Sequence, residues 1–387
     1  MKNIRYWLAF FSILIVYGIA GENKASNIHG RDDLPAEPPI IASKADTISK
    51  AIDKIIHQAH FNGSILVGYK DYVLYENAIG LINLKTNDSL SPETPFQLAS
   101  VSKSFTALAI LMLVQDSLIR LDEKVKHYIQ EFPYPTVTVR HLLNHTSGIP
   151  NYFKLAAQYW PKNKPMNNED MLVLLVKHKL RLQFTPGTNF RYSNTGYAIL
   201  ALLVERVSKT PFDEFLKNRI FLPLGMQNTF TYDRQIMDTL TIALGHRSNR
   251  PNPSLFDFDP VDEVLGDKSI FSTPADLFLY NRAWTTDILI NENLRKEAFT
   301  RATLKNRKVV DYGFGWRFKK VDGKDIIYHN GLWHGFTATF TRIPESEITV
   351  IILNNTNAQV STLAHQIIKE ITPLLELDHK QDNVSAN

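Results

Sequence analysis

The 387-residue chain contains no cysteine. Disulfides, thiol nucleophiles and cysteine-built zinc sites are therefore excluded, and so is a lipoprotein anchored through an N-terminal cysteine. Export remains open, because a chain of this size can bury a core without covalent staples. Charge of one sign is also scarce. The formal net charge is +4 and no dense Lys/Arg run occurs, so nucleic acid is not an expected partner, although weak attraction to anionic surfaces remains. There is no H-E-x-x-H metal motif and no internal repeat. The remaining composition, 44% hydrophobic and 21% charged, is that of an ordinary globular chain.

The longest apolar run lies at the start. Lys2 and Arg5 precede Tyr6 to Ala20, which ends in the small residues Gly18-Ile19-Ala20. The run is somewhat short for a membrane span and has the layout of a cleavable signal peptide, 1–20. The expectation is an exported protein, periplasmic or extracellular, touching a membrane only through an uncleaved signal. Pro35, Pro38 and Pro39 mark residues 21–44 as a flexible linker.

From Asp46 to about His60 a helix is expected, with Ile48, Ile52, Ile55 and Ile56 on one face. Gly63–Tyr69 and Tyr72–Gly80 read as a hairpin joined by Lys70-Asp71. Helices are expected at Val139–Asn144, Asn168–Lys179, Thr195–Val207, Pro211–Arg219 and Pro274–Trp284. Near Tyr312 the text turns β-rich, with strands expected at Tyr312–Lys319, Asp325–Tyr328, Gly335–Arg342 and Ile348–Leu353, and a last helix from about Ala358 to Leu375. The fold class expected is α/β (α+β): an antiparallel sheet flanked by N- and C-terminal helices, with a mainly helical lobe inserted at about 100–300. The domain would span 45–375, followed by a polar tail, 376–387. A cleft between the lobes is the expected place for a site, and the loop from Asp233 to Lys268 is either a lid over it or plain surface.

Ser100-Val101-Ser102-Lys103 is the only S-x-x-K in the chain. Ser100 falls at the expected start of a helix running to Val114, which places Lys103 one turn on, within reach of its hydroxyl. A serine hydroxyl needs such a neighbouring base to become a nucleophile. Tyr192 and Asn194, in a loop after Pro186-Gly187, could supply a proton shuttle and a polar contact. His329-Asn330-Gly331, the only Lys/His-x-Gly, is expected where a strand ends, with the glycine letting a strand edge approach a substrate backbone.

These three motifs in this order resemble the serine β-lactamase and penicillin-binding protein superfamily, in particular its class C β-lactamase-like branch with D-Ala-D-Ala carboxypeptidases, D-aminopeptidases and esterases. Leu142–Ile149, Pro186-Gly187-Thr188 and Gly266–Leu277 resemble that branch too, so the likeness runs from about Ile48 to Leu375. The resemblance implies an acyl-enzyme on Ser100, with Lys103 and Tyr192 sharing the proton work and the choice of base left open. It implies a Tyr192 phenolate in the free protein, and Asn194 binding a substrate amide while steadying Lys103. It implies substrate contacts at His329, Gly331, Leu332 and Trp333, and oxyanion donors at the N–H groups of Ser100 and Leu332. His329 stands where many β-lactamases carry lysine, which implies a weaker, pH-dependent grip on a substrate carboxylate. With the bulky Leu332, Trp333 and His334, this points to an ester, amide or D-amino-acid peptide rather than penicillin.

Three alternatives remain: a class C-type β-lactamase, a slow or silent penicillin-binding-like sensor, and a metal hydrolase built on His141 and His145 or on His329 and His334. The last lacks an acidic ligand at a recognisable spacing. His145 is read instead as a hydrogen-bonded scaffold residue, and no cofactor or metal is expected. Tyr152, Tyr159 and Trp160 are read as packing residues and Trp333 as a cleft residue. The partner expected is a small-molecule or peptide substrate.

Overall fold

The computed structural model describes residues 39–376, apart from 60, 238, 248–252 and 257–258. The expected signal peptide, residues 21–38 of the linker and the tail from 377 lie outside the described residues. The strands, in chain order, are β1 (Gly63–Tyr69), β2 (Tyr72–Ile79), β3 (Phe96–Gln97), β4 (Phe230–Thr231), β5 (His246–Arg247), β6 (Ser254–Leu255), β7 (Ile270–Ser272), β8 (Arg317–Val321), β9 (Lys324–Trp333), β10 (Phe336–Ile343) and β11 (Ile348–Asn354). Six of them form one sheet in the order β2-β1-β11-β10-β9-β8, and its pairings are antiparallel.

Period-two alternation divides the sheet between two cores. Ile65 and Val67 of β1, with Val350 and Ile352 of β11, join Ile48, Ile52 and Ile56 of the N-terminal helix (Pro39–Gln58) and Ile367 and Ile371 of the C-terminal helix (Val360–Glu376). The intervening Leu66, Ile351 and Leu353 face the larger core, shared with the helical lobe. β1 and β11 are therefore buried along their whole length. The N-terminal helix starts at Pro39, not Asp46, so residues 39–44 are helical rather than linker. Proline is tolerated in a first helical turn, where its missing N–H has no intrahelical partner to lose.

The inserted lobe holds the helix Ser102–Gln115, buried over twelve of its residues, Ser102 to Leu113, and apolar on every side from Ala107 onward to Val114, as a helix inside a core must be. A small sheet, β3-β7-β4, joins the segment before this helix to residues 270–272. These two- and three-residue strands carry no periodicity and were absent from the sequence reading. The expected strand Asp325–Tyr328 is longer, and β9 runs on through the H-x-G motif to Trp333. His329, Asn330 and Gly331 thus lie within a strand, paired with Phe340, Thr339 and Ala338 of β10. Glycine inside a strand marks close approach of another backbone, and the site explains it.

Candidate active site

The chain reaches the site through β3, then a 3₁₀ turn, Ala99–Val101, that leads into the buried helix. Ala99 has φ +47°, a left-handed conformation rarely adopted by residues other than glycine and found disproportionately at functional positions. Ser100 follows it, half-buried. β9 lies directly on this turn. A Cβ at Gly331 would stand 2.2 Å from the Leu98 carbonyl oxygen and 3.1 Å from the Ala99 Cβ, so the glycine is what allows the strand to close on the turn carrying Ser100. Its close partner is the turn Leu98–Ala99 that leads into Ser100.

Lys103 is fully buried. Its Nζ donates to Ser100 Oγ at 3.0 Å and to the main-chain oxygen of Asp267 at 2.6 Å. Burial drives its pKa down from 10.5 to about 7; the nearby Asp267 carboxylate resists that fall and the Arg317 charge adds to it. A neutral amine is thus accessible beside the hydroxyl near neutral pH, a condition for a general base. The steadying partner of Lys103 is this Asp267 carbonyl rather than Asn194. The Asn194 Oδ1 is buried and makes no hydrogen bond among the described residues.

Ser193 caps the helix Asn194–Ser208 by accepting from the Gly196 N–H, and so fixes the loop that carries Tyr192. His145 fixes it from the other side. Its carbonyl accepts from the Arg191 N–H at 3.0 Å, and its Nδ1 accepts from the Ser193 N–H at 3.1 Å. Its ring lies 4.3 Å from that of Tyr192. Burial, aided by Lys103, holds the imidazole well below its ordinary pKa, so His145 is a neutral scaffold. His141 is engaged elsewhere, in a capping box with Thr138.

The Tyr192 hydroxyl is buried. Burial pushes its pKa well above 10, and the neighbouring Ser100 hydroxyl and Arg317 charge offset only part of the rise. The expected phenolate is therefore corrected to a neutral phenol, because the cost of burying the anion exceeds what the Ser100 hydroxyl and the Arg317 charge return. His329 is corrected as well. Burial, with Lys103 and Arg317 nearby, keeps it well below 6.5 and uncharged. Its Nδ1 donates to the Asn330 oxygen at 2.8 Å and its Nε2 accepts from the Tyr312 hydroxyl at 3.0 Å, a tautomer fixed by these partners. It cannot grip a carboxylate by charge.

Arg317, unnoticed in the sequence, is the cation of the site. It lies 5.0 Å from the Tyr192 ring centroid and 5.6 Å from that of Tyr312, and no carboxylate pairs with it among the described residues. Asp267 and Lys268 were also missed. The Asp267 carboxylate accepts from the Tyr152 hydroxyl at 3.1 Å and lies 3.3 Å from Lys268 Nζ. Lys268 also donates to the Val261 and Val264 carbonyls, tying the backbone that holds Lys103. Tyr152, read as packing, is buried but uses its hydroxyl in this network. Leu332 is 66% exposed at the strand edge. Trp333 stacks on Phe153 with centroids 5.3 Å apart and donates to Asp262 at 2.8 Å.

A serine with a buried lysine partner, set between an antiparallel sheet and a helical lobe, defines the class: a β-lactamase/transpeptidase-like fold of the serine hydrolase superfamily. A family model described as Beta-lactamase matches residues 48–370, and the chain belongs to that family. It is 32% identical over 311 residues to Penicillin-binding protein 4* of Bacillus subtilis (strain 168), covering 76% of this chain and 68% of the relative. It is 25% identical over 313 residues to a D-aminopeptidase of Brucella anthropi, covering 79% of this chain and 58% of the relative. The crystal structure of a penicillin binding protein from Bacillus halodurans matches with a TM-score of 0.73 at 25% identity, over 84% of this chain and 98% of that one. The D-amino acid amidase of Ochrobactrum anthropi SV3 matches with a TM-score of 0.70 at 21% identity, over 84% of this chain and 99% of that one, a likeness of fold alone.

Proposed function

We propose that this protein is an exported serine hydrolase that forms an acyl-enzyme on Ser100, with an amide, ester or D-amino-acid peptide as acyl donor. The observation that carries the proposal is the Lys103 amine, buried, shifted to about 7 and 3.0 Å from Ser100 Oγ. The neutral amine takes the Ser100 proton as Oγ bonds to the substrate carbonyl carbon. The carbonyl becomes an oxyanion held by the N–H groups of Ser100 and Leu332. On collapse, Tyr192 gives its phenolic proton to the departing amine or alkoxide and recovers one from Lys103. Water then cleaves the acyl-enzyme by the same proton path in reverse. Support for export is the Tyr6–Ala20 run behind Lys2 and Arg5.

Arg317, beside Tyr192 and without a carboxylate partner among the described residues, favours a leaving group bearing a carboxylate, as in a carboxypeptidase, because Tyr192 marks the leaving-group side. The bulky Leu332 and Trp333 and the uncharged His329 disfavour a dedicated β-lactamase. The test is intact-protein mass after exposure to a penicillin and, separately, to an activated ester. Wild type should gain an acyl mass or turn the ester over, and Ser100→Ala should do neither. Equal reaction of the two proteins would remove Ser100 from the mechanism.

A further inference from the structure

Alternation along β10 sends Phe336, Ala338, Phe340 and Arg342 to one face of the sheet. The first three join the core shared with the helical lobe; the fourth brings a guanidinium to the same face. Arg342 is 6% exposed. Its Nη1 is buried and makes no hydrogen bond, and no carboxylate pairs with it, among the described residues. Burial lowers its pKa from 12.5 to about 10, with the Tyr280 phenol opposing that fall and the Arg295 charge adding to it. It is still a cation at neutral pH. A buried charge is costly unless it is paired, and the chain's own described residues supply no anion for this one.

Arg342 lines a cavity of about 500 Å³ at the C-terminal end of the helix Pro274–Thr285, together with Lys70, Asn281, Trp284, Phe299 and Ile327 among others. Asn281 is 7% exposed, and its Oδ1 is buried and makes no hydrogen bond among the described residues. Phe299 places its ring 5.2 Å from the guanidinium carbon, and the Trp284 ring lies 5.4 Å from that of Phe299. Two further lining residues, Asp71 and Glu347, carry carboxylates, and Glu347 lies 3.7 Å from Lys70 Nζ. These acids oppose a second negative charge, so the cavity suits a monoanion. A planar guanidinium matches a carboxylate bidentately, an amide oxygen matches an N–H, and the aromatic wall matches an apolar body. Arg342 is in register with Ile327, four residues before Gly331 on β9, or about 13 Å along the strand. Ser100, Lys103 and Tyr192 do not line the cavity, so it is separate from the candidate active site.

We propose that this cavity is a second binding site, for a small organic monocarboxylate that carries an amide N–H and an apolar body. The carboxylate meets Arg342, the N–H meets Asn281 Oδ1, and the body lies against Trp284 and Phe299. The site is independent of acylation at Ser100. The experiment titrates N-benzoylglycine and its neutral counterpart N-benzoylglycinamide by calorimetry into the full chain, as wild type, Arg342→Met, Thr285→Trp and Arg317→Gln. Wild type should bind the carboxylate at least about tenfold more tightly than the amide, the worth of a hydrogen bond to a charged group. Arg342→Met should abolish that preference. Thr285→Trp, at an exposed position lining the cavity, should fill the space and weaken both ligands. Arg317→Gln, in the candidate active site, should change neither. If Arg342→Met does not fold, the amide comparison and Thr285→Trp decide the matter. No saturable binding, equal binding of the amide, or binding lost in Arg317→Gln and kept in Thr285→Trp would overturn the site. Displacement by an equal concentration of inorganic phosphate would overturn its selectivity for an organic monocarboxylate.

Discussion

Lys103 and Tyr192 are both withdrawn from water beside Ser100, with the lysine Nζ 5.0 Å from the tyrosine ring centroid, yet burial moves them in opposite chemical directions. Loss of hydration penalises whichever form is charged. For the lysine that form is the protonated one, and its pKa falls to about 7. For the tyrosine it is the deprotonated one, and its pKa rises. One environment thus yields a neutral base and a neutral acid. The sequence leaves the two interchangeable; the difference in where each residue keeps its proton is the basis on which we propose Lys103 for the Ser100 proton and Tyr192 for the leaving group.

The strongest way to break this comparison is Lys103→Met, which should lower kcat/KM by roughly 10³-fold, within the range for loss of a general base. In wild type kcat/KM should fall as pH drops through about 7, because the protonated ammonium cannot accept the serine proton. Tyr192→Phe should cost less, about 10²-fold, and retain that acid limb. A pH profile in which Tyr192→Phe loses the limb would make the tyrosine the base.

A smaller effect sharpens the leaving-group side. Arg317→Gln should lower kcat/KM for a donor with a carboxylate on its leaving group by roughly 10- to 100-fold relative to a neutral ester of the same acyl group. That is the worth of one hydrogen bond to a charged group, and it should fall mainly on KM. A ratio that does not change would leave Arg317 as a modulator of its neighbours' charge and no more.

How much of this was legible beforehand follows from what each feature rests on. Ser100, Lys103 and Tyr192 lie in short motifs, and both flanks of the sheet follow from residue periodicity, so the fold and these side chains could be read. The state of His329 could not, because its neutrality comes from burial under elements far apart in sequence and from the nearby Lys103 and Arg317. Asp267 left a faint trace, an Asp-Lys pair set between Val264-Leu265 and Ile270-Phe271, where an apolar setting hints at buried charge. Arg317 left a similar one between Trp316 and Phe318. Gly331 was read as making room for a substrate. The backbone it admits is Leu98–Ala99, and that contact depends on the pairing of β9 with β10, which no local pattern specifies.

The smallest effect concerns stability. A lysine whose pKa is 10.5 unfolded and about 7 folded binds fewer protons in the native state, so its contribution to stability rises with pH across that window. Put the other way, a penalty accumulates as pH falls from about 10.5 to about 7, at up to about 1.4 kcal/mol per unit, and is constant below. Lys103→Met removes it, but also leaves the Asp267 carbonyl without its donor, a loss that is the same at every pH. The informative quantity is therefore the slope rather than the sign. The stability of Lys103→Met relative to wild type, from urea midpoints, should decline steadily between pH 7 and 10 and be flat between pH 5 and 6.5. A difference that is level throughout would mean that Lys103 titrates in its ordinary range, and the contrast with Tyr192 would lose its basis.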